Sequence, residues 1–121
     1  MKYTKESLGR PATFLLPSLK LRSERWNNKP VEQAVREYLL ANFGGYTAHA
    51  GNVFGEWTEP RTGKVFYGEH LAYSVAFKGK ERIPELEEFL ATVANVINEE
   101  SVYLETGEDA WLIYPEKEGS T

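Results

Sequence analysis

Apolar residues recur with a helical period in two parts of the chain and alternate with polar residues in the segments around them. From about Pro30 to Phe43 and from about Ile83 to Asn98, apolar side chains return at the spacing of one buried helix face. The second segment also has acidic residues in its first turns, where the helix dipole stabilises negative charge. The pattern predicts two amphipathic helices that each need an apolar surface to cover one side.

Signals for both ends of the first helix flank its apolar stretch. Asn27 and Asn28 can accept hydrogen bonds from the free amides of a first turn, and Pro30 suits that turn because it lacks an amide hydrogen. Gly44 follows the helix and can adopt the left-handed conformation common at helix C-termini. We therefore expect asparagine capping at the start of this helix and glycine capping at its end.

Strand patterns fill the chain before and between the helices. Residues 13–16 form a first apolar run, and Pro17 predicts that this strand lies at a sheet edge or ends early. Residues 46–57 and 64–77 have strand-like patterns and are joined by the turn-rich residues 59–63. This arrangement predicts a β-hairpin between the two helices.

Two further strands are predicted after the second helix. Residues 101–105 and 110–114 are short apolar segments joined through residues 106–109, which favours a second hairpin. The resulting order of elements, βαββαβ, indicates an α+β protein with a ferredoxin-like sandwich. We expect an antiparallel sheet with two helices on one face and an extra C-terminal strand.

Length and composition limit the expected number of domains, the cellular location and the chemistry of the protein. The 121 residues fit a single domain, residues 1–121, with an ordered core of about 12–115. Neither a membrane-length apolar run nor a signal-peptide core is present, so we expect a soluble cytoplasmic protein without membrane contact. The sequence contains no cysteine, which excludes disulfides, thiolate catalysis and thiolate zinc sites. We expect no cofactor.

Charge is distributed unevenly along the chain. Residues 1–40 hold eight Lys or Arg against four Glu, and residues 82–121 hold two basic residues against ten acidic ones. The simplest interpretation is a solvated surface whose two ends complement each other. The alternative is an acidic C-terminal half that favours a basic protein partner and repels phosphate backbones, which argues against nucleic acid as a partner.

Four short motifs resemble a known group of proteins. They are Phe43-Gly44-Gly45-Tyr46-Thr47, Gly55-Glu56-Trp57, Gly68-Glu69 and Glu100-Ser101-Val102. Together they resemble a family of small uncharacterised bacterial proteins with a ferredoxin-like fold, over residues 12–105. The resemblance implies that fold and homodimerisation through the sheet. Because the family has no established activity, it implies no catalytic residues.

The two histidines could act with nearby carboxylates. His49 and His70, together with Glu69 or Glu56, are residue types that hold divalent metals or transfer protons. A metal site needs three or four convergent ligands, and no two of these residues have the i, i+4 spacing of neighbours on a helix. We therefore predict no metal site and assign no catalytic residues.

Glu69 interrupts an otherwise apolar strand face formed by alternate residues of 65–77. If the strand is regular, Glu69 lies among apolar side chains, where burial would raise the pKa of its carboxyl group. If the strand bulges at Gly68, Glu69 turns outward. The sequence leaves both interpretations open.

Aromatic residues are numerous, with three Trp, seven Tyr and six Phe. Most are expected in the core or in cross-strand pairs, whereas any that lie on an open sheet face would form a surface for stacking or partner binding. The candidate ligand-binding or partner-binding residues are Trp57, Tyr67, Glu69, His70, His49 and Tyr46.

Three functions fit these observations. The leading interpretation is a non-enzymatic interaction or regulatory module of bacterial or phage type, such as an inhibitor, which binds a protein partner or itself as a homodimer. The second is a small-molecule-binding protein with a pocket between sheet and helices or at a dimer interface. The third is a small enzyme that uses Glu69 with His49 or His70 as acid and base.

Overall fold

The described residues form a six-stranded antiparallel sheet, a two-stranded ribbon and three α-helices. The computed structural model describes residues 2–49, 51, 53–58, 60–108 and 110–115. The elements are β1 (Tyr3–Pro17), α1 (Ser18–Ser23), β2 (Arg25–Trp26), β3 (Lys29–Pro30), α2 (Val31–Phe43), β4 (Thr47–Ala48), β5 (Val53–Thr58), β6 (Val65–Phe77), α3 (Ile83–Val96), β7 (Tyr103–Thr106) and β8 (Ala110–Pro115).

β1 lies at the centre of the sheet because both of its edges are paired. Along one edge, residues 10–17 pair with residues 77–70 of β6. Along the other edge, β8 pairs with the first half of β1 and β7 with the second half. β4 and β5 occupy the far edge of β6 in the same end-to-end manner. Across the sheet, the order is therefore β4 and β5, then β6, β1, and β7 with β8.

The core lies on one face of this sheet. Alternate residues of β1 and β6 are buried there, and the rings of Phe14 and Tyr73 stack with centroids 5.4 Å apart. The amphipathic faces of α2 and α3 join this core, and Tyr38 stacks on Phe89 between the two helices. Each fully buried large apolar side chain contributes about 1.5–3 kcal/mol, so this one-sided burial holds the helices to the sheet.

The structure confirms an α+β protein with an antiparallel sheet. Both predicted amphipathic helices are present as α2 and α3, and Gly44 ends α2 with a left-handed φ of 77°. The hairpin between them is present as β5 and β6, although its first arm is interrupted between β4 and β5. No helix in the described ranges is long and apolar enough to cross a membrane.

The expected asparagine cap of α2 is wrong. Asn27 and Asn28 have φ values of 52° and 64° and form the turn between β2 and β3, a two-stranded ribbon. A two-residue hairpin turn with positive φ at both positions favours asparagine, which tolerates this conformation better than most residues. The helix instead begins after Pro30, without a side-chain cap.

The predictions for the first and last strands also need correction. β1 is a long central strand, so Pro17 ends the strand but does not mark an edge. β7 and β8 do not pair with each other as a hairpin, because both pair with the same edge of β1. β8 therefore adds no further position to the order of strands across the sheet. The amide of Gly107, between them, donates to the Pro11 carbonyl oxygen at 2.8 Å. Strand partners far apart in sequence leave no local signal, which explains these errors.

Gly9 provides a test of the close pairing between β1 and β6. Its φ is +93°, and a Cβ there would collide with the backbone carbonyl of Phe77. We expect Gly9→Ala to lower the free energy of unfolding by at least about 2 kcal/mol, because backbone strain adds to a steric clash. Denaturant unfolding measures this change.

Gly45→Ala is the matched control. Gly45 lies in a coil segment without a positive φ, and no described atom lies within 4 Å of the position that an alanine Cβ would take. The substitution should change stability by less than about 0.5 kcal/mol. Equal effects of the two substitutions would contradict the assigned pairing.

Candidate functional site

A groove forms where β1 ends before β6 does. The last pair between these strands joins Pro17 and His70, after which the chain turns into α1. Residues 65–69 of β6 therefore pair only with β5 in the described structure, and this part of the hairpin projects beyond the sheet. In that structure, one edge of the projecting strand is left without a strand partner.

This edge groove has a volume of 970 Å³. One wall is formed by residues 66–70 of β6, of which 66–69 lie on the unpaired edge. The other wall is the segment 98–104, which leads from α3 into β7. Leu19 and Lys20 of α1 border one end. Small-molecule sites commonly have volumes of about 300–1,000 Å³, so the edge groove is large enough for a nucleoside.

Aromatic side chains line the edge groove and remain accessible. Tyr67 is 63% exposed, and Phe66 and Tyr103 are also exposed. Tyr67 shares its sheet face with the buried Tyr73, but it lies beyond the region that the helices cover. The exposed rings can therefore contact a ligand without disrupting the core.

Trp57 and His70 pack together at the base of the projecting hairpin. Their rings meet edge to face with centroids 4.9 Å apart. Gly55 and Gly68 face each other across β5 and β6, and a Cβ at either position would collide with one of these rings. Gly55 thus leaves space for the Trp57 ring and Gly68 for the His70 ring, so that the two rings can meet.

Glu69 remains in regular strand register and is exposed. No register shift interrupts the pairing of β5 and β6, so the predicted bulge at Gly68 is absent. The alternative of a buried carboxylate is also wrong, because the helices do not extend over this part of the strand. The Glu69 side chain forms no ion pair or hydrogen bond with the described part of the chain. Its charge is available to a ligand.

Other charged groups border the same groove. Lys20 Nζ lies 3.0 Å from Glu99 Oε1 and donates to the Asn98 carbonyl oxygen at 3.1 Å. Glu69 and Glu100 have no such cationic partner among the described residues. The edge groove therefore favours a cationic ligand over an anionic one.

The six candidate residues divide between two cavities. Trp57, Tyr67, Glu69 and His70 line the edge groove, whereas Tyr46 and His49 line a second cavity of 330 Å³. Glu69 and His70 are consecutive in β6 and point to opposite sheet faces, so they do not form an acid-base pair. The residues that bound the second cavity are Arg22, Glu32, Arg36, Tyr46, Ala48, His49, Leu71 and Tyr73.

Most of the residues that line the edge groove are not among the sequence-predicted candidates, which supply only Trp57, Tyr67, Glu69 and His70. Phe66, Tyr103 and the segment 98–102 were not selected, because their position depends on where β1 ends. Only the alternation around Tyr103 could have indicated an exposed aromatic side chain. Within the described residues, no group of three His, Asp or Glu side chains is arranged to hold a metal ion.

No family model matches the chain, and no curated protein matches it. A solved structure is similar: a phage SAM lyase in complex with S-methyl-5′-thioadenosine. The TM-score is 0.53 and the identity 18%, and the match covers 85% of this chain and 83% of the lyase. At this identity, the likeness concerns the fold.

The comparison corrects the leading functional interpretation. We took a small α+β fold to indicate a non-enzymatic interaction or inhibitor module, but a protein with a similar fold is an enzyme. The inference from size and fold to a non-enzymatic regulator is therefore wrong. The resemblance to a bacterial family has no matching family model to support it.

The environment of His70 has a measurable consequence. Burial lowers its pKa below the ordinary value of 6.5, and the charge of Glu99 opposes this effect. The unfolded state therefore binds a proton more readily, so stability is expected to fall as the pH drops from about 7 through 6.5. An NMR titration of the imidazole should show a midpoint below 6.5.

His70→Gln should remove this contribution to the pH dependence of unfolding, and the NMR signal that it removes is that of His70. In the unsubstituted protein the Nδ1 atom of His70 is buried without a hydrogen-bond partner among the described residues, which also favours a neutral ring. A titration midpoint at or above 6.5 would show that the imidazole is well solvated.

Proposed function

We propose that this protein is an enzyme that binds S-adenosylmethionine in the edge groove and breaks a carbon–sulfur bond to release a thioether nucleoside. The observation that carries the proposal is an accessible aromatic groove, with a carboxylate, Glu69, that has no partner among the described residues, in a fold similar to that of a SAM lyase. The similar structure supports the fold, and the side chains that line the groove support the proposed binding and reaction.

The edge groove suits an adenosine moiety. Planar bases stack on aromatic side chains, and such contacts are worth about 1–3 kcal/mol per base. Phe66 and Tyr103, which by strand register lie on the same sheet face, offer such surfaces. The backbone amides and carbonyls on the unpaired edge of β6 can also form hydrogen bonds with the edge of a base, as they would with another strand.

The same groove suits a sulfonium cation. Glu69 supplies a negative charge, and the face of a tyrosine ring attracts a cation placed over it. Tyr67 and Glu69 project from the same face of β6, two residues apart, so one bound cation can contact both. A neutral thioether product lacks this attraction, which favours its release.

The proposed reaction requires no additional reactant. The carboxylate of the methionine portion attacks its own γ-carbon, a carbon–oxygen bond forms, and the carbon–sulfur bond breaks with its electron pair moving to sulfur. The positive charge on sulfur disappears as the transition state develops. A site with little water favours this loss of charge, and covering of the open groove by a second chain would provide one. Glu69 binds the substrate and takes no proton.

The finer description of the fold belongs to the same proposal. We assign the strand order to a ferredoxin-like sandwich with one domain over residues 1–121, in a soluble cytoplasmic protein. The position of β1 between β6 and the C-terminal strands supports the ferredoxin-like strand order. The bacterial family with the same predicted fold is proposed as a relative on its motifs alone.

Self-association is a second part of the proposal. Exposed apolar side chains surround the edge groove, including Leu19 at 77%, and a contiguous apolar surface of this kind favours contact with another chain. A homodimer would cover this surface and exclude water from the groove. Light scattering at about ten micromolar protein should give the mass of a dimer. Leu19→Glu should shift that mass toward the monomer, and a monomeric unsubstituted protein would contradict the proposal.

The activity is tested by incubating the protein with S-adenosylmethionine and separating the products by chromatography. We expect S-methyl-5′-thioadenosine to accumulate with enzyme concentration. Glu69→Gln should raise KM about tenfold, which corresponds to about 1.4 kcal/mol of lost binding. Because Glu69 has no partner in the described structure, stability should change by less than about 0.5 kcal/mol.

Glu87→Gln is the matched control for this experiment. Glu87 is exposed on α3 and does not line the edge groove. Its removal changes the net charge equally and should leave KM unchanged. Absence of thioether formation, or an equal effect of both substitutions, would overturn the proposed function.

A further inference from the structure

The second cavity lies on the helix-covered face of the sheet, separate from the edge groove. Arg22 projects from α1, and Arg36 from α2, toward a space bordered on the sheet by Leu71 and Tyr73. His49 borders it from the end of β4, where its backbone amide donates to the Ala72 carbonyl oxygen at 3.1 Å. Two helices and two strands of the sheet therefore converge on one space.

The two arginines in this cavity have no anionic partner in the part of the chain that the structure describes. There, neither Arg22 nor Arg36 forms an ion pair or a side-chain hydrogen bond. Glu32 precedes Arg36 by one helical turn, the spacing at which such side chains often pair, yet these two do not. Two guanidinium groups are thus available on one side of the cavity.

A buried phenol forms part of the cavity floor. Tyr73 is 2% exposed, its ring lies between Phe14 and Tyr46, and it forms no side-chain hydrogen bond with the described part of the chain. Burial, with a smaller effect from Glu32, raises the pKa of Tyr73 to about 12. Its hydroxyl group stays protonated at neutral pH and can donate a hydrogen bond to a ligand.

We propose that this cavity binds a small oxyanion, a carboxylate or phosphate group, between Arg22 and Arg36 with Tyr73 as the neutral donor. Guanidinium groups form strong charge-assisted hydrogen bonds with such groups, often two at a time. The volume of 330 Å³ limits the ligand to a small molecule or to one end of a larger one. Leu71 and Tyr46 give the remaining wall an apolar character that suits a short carbon chain.

The site is independent of the proposed function. The edge groove carries carboxylates and favours a cation, whereas this cavity carries two arginines against one glutamate. Both are bordered by β6, with Glu69 on one cavity and Leu71 on the other, two residues along the same face. Binding at the second cavity can therefore be measured whether or not the protein cleaves S-adenosylmethionine.

The test uses inorganic phosphate and the full chain in isothermal titration at constant ionic strength near 0.15 M. We expect saturable binding, weakened at least about tenfold by Arg22→Gln and by Arg36→Gln through loss of a charge-assisted contact. Tyr73→Phe should weaken binding while the protein stays folded, because the ring packing is retained. Glu32→Gln should strengthen binding, since it removes the negative charge that borders the site.

Lys64→Gln is the control for net charge, because Lys64 is exposed in the hairpin turn and outside the cavity. It should leave phosphate affinity unchanged. Competition by acetate would extend the site to carboxylates, and failure to compete would restrict it to phosphate; either result upholds an oxyanion site. Absence of saturable binding by either anion, or an equal loss of affinity in Lys64→Gln, would overturn the inference.

Discussion

The length of the ladder between β1 and β6 determines the shape of the molecule. Eight pairs join the two strands, from Arg10 with Phe77 to Pro17 with His70. Beyond Pro17 the chain turns directly into α1, while β6 continues with β5 as its only strand partner in the described structure. The part of β6 that pairs with β1, residues 70–77, contributes to the core, and the part that does not pair with β1 lines the edge groove. One strand therefore serves both stability and ligand access.

The sequence predicts those features of this arrangement that depend on local pattern. The periods of α2 and α3, the left-handed end at Gly44 and the alternation through residues 65–77 are local, and the structure contains all of them. The first half of β1 was not predicted, because residues 3–10 are mostly polar and are held by β8 from the other end of the chain. Pairing between such distant segments depends on the whole fold.

The candidate site was only partly predicted, because it too depends on contacts between distant segments. Strand alternation correctly places Tyr67, Glu69 and Tyr73 on one face, but it does not give the extent of the helices over that face. Tyr73 is 2% exposed and Tyr67 is 63% exposed, although their sequence contexts are alike. Whether an aromatic residue of an alternating strand packs in the core or is free to bind a ligand depends on whether helices from elsewhere in the chain cover that part of the sheet.

The facing glycines of the hairpin determine its mechanical behaviour. At Gly55 and Gly68 the two strands have no side chains to pair across the ladder. The Trp57 ring lies beside Gly55 and the His70 ring beside Gly68, and the two rings meet edge to face. Bending of the hairpin away from the sheet must change the contact of this indole with His70. Such bending would widen or narrow the edge groove. It would also change the fluorescence of Trp57, because tryptophan emission depends on the surroundings of the indole. The fluorescence of Trp57 would therefore report the position of the hairpin relative to the sheet.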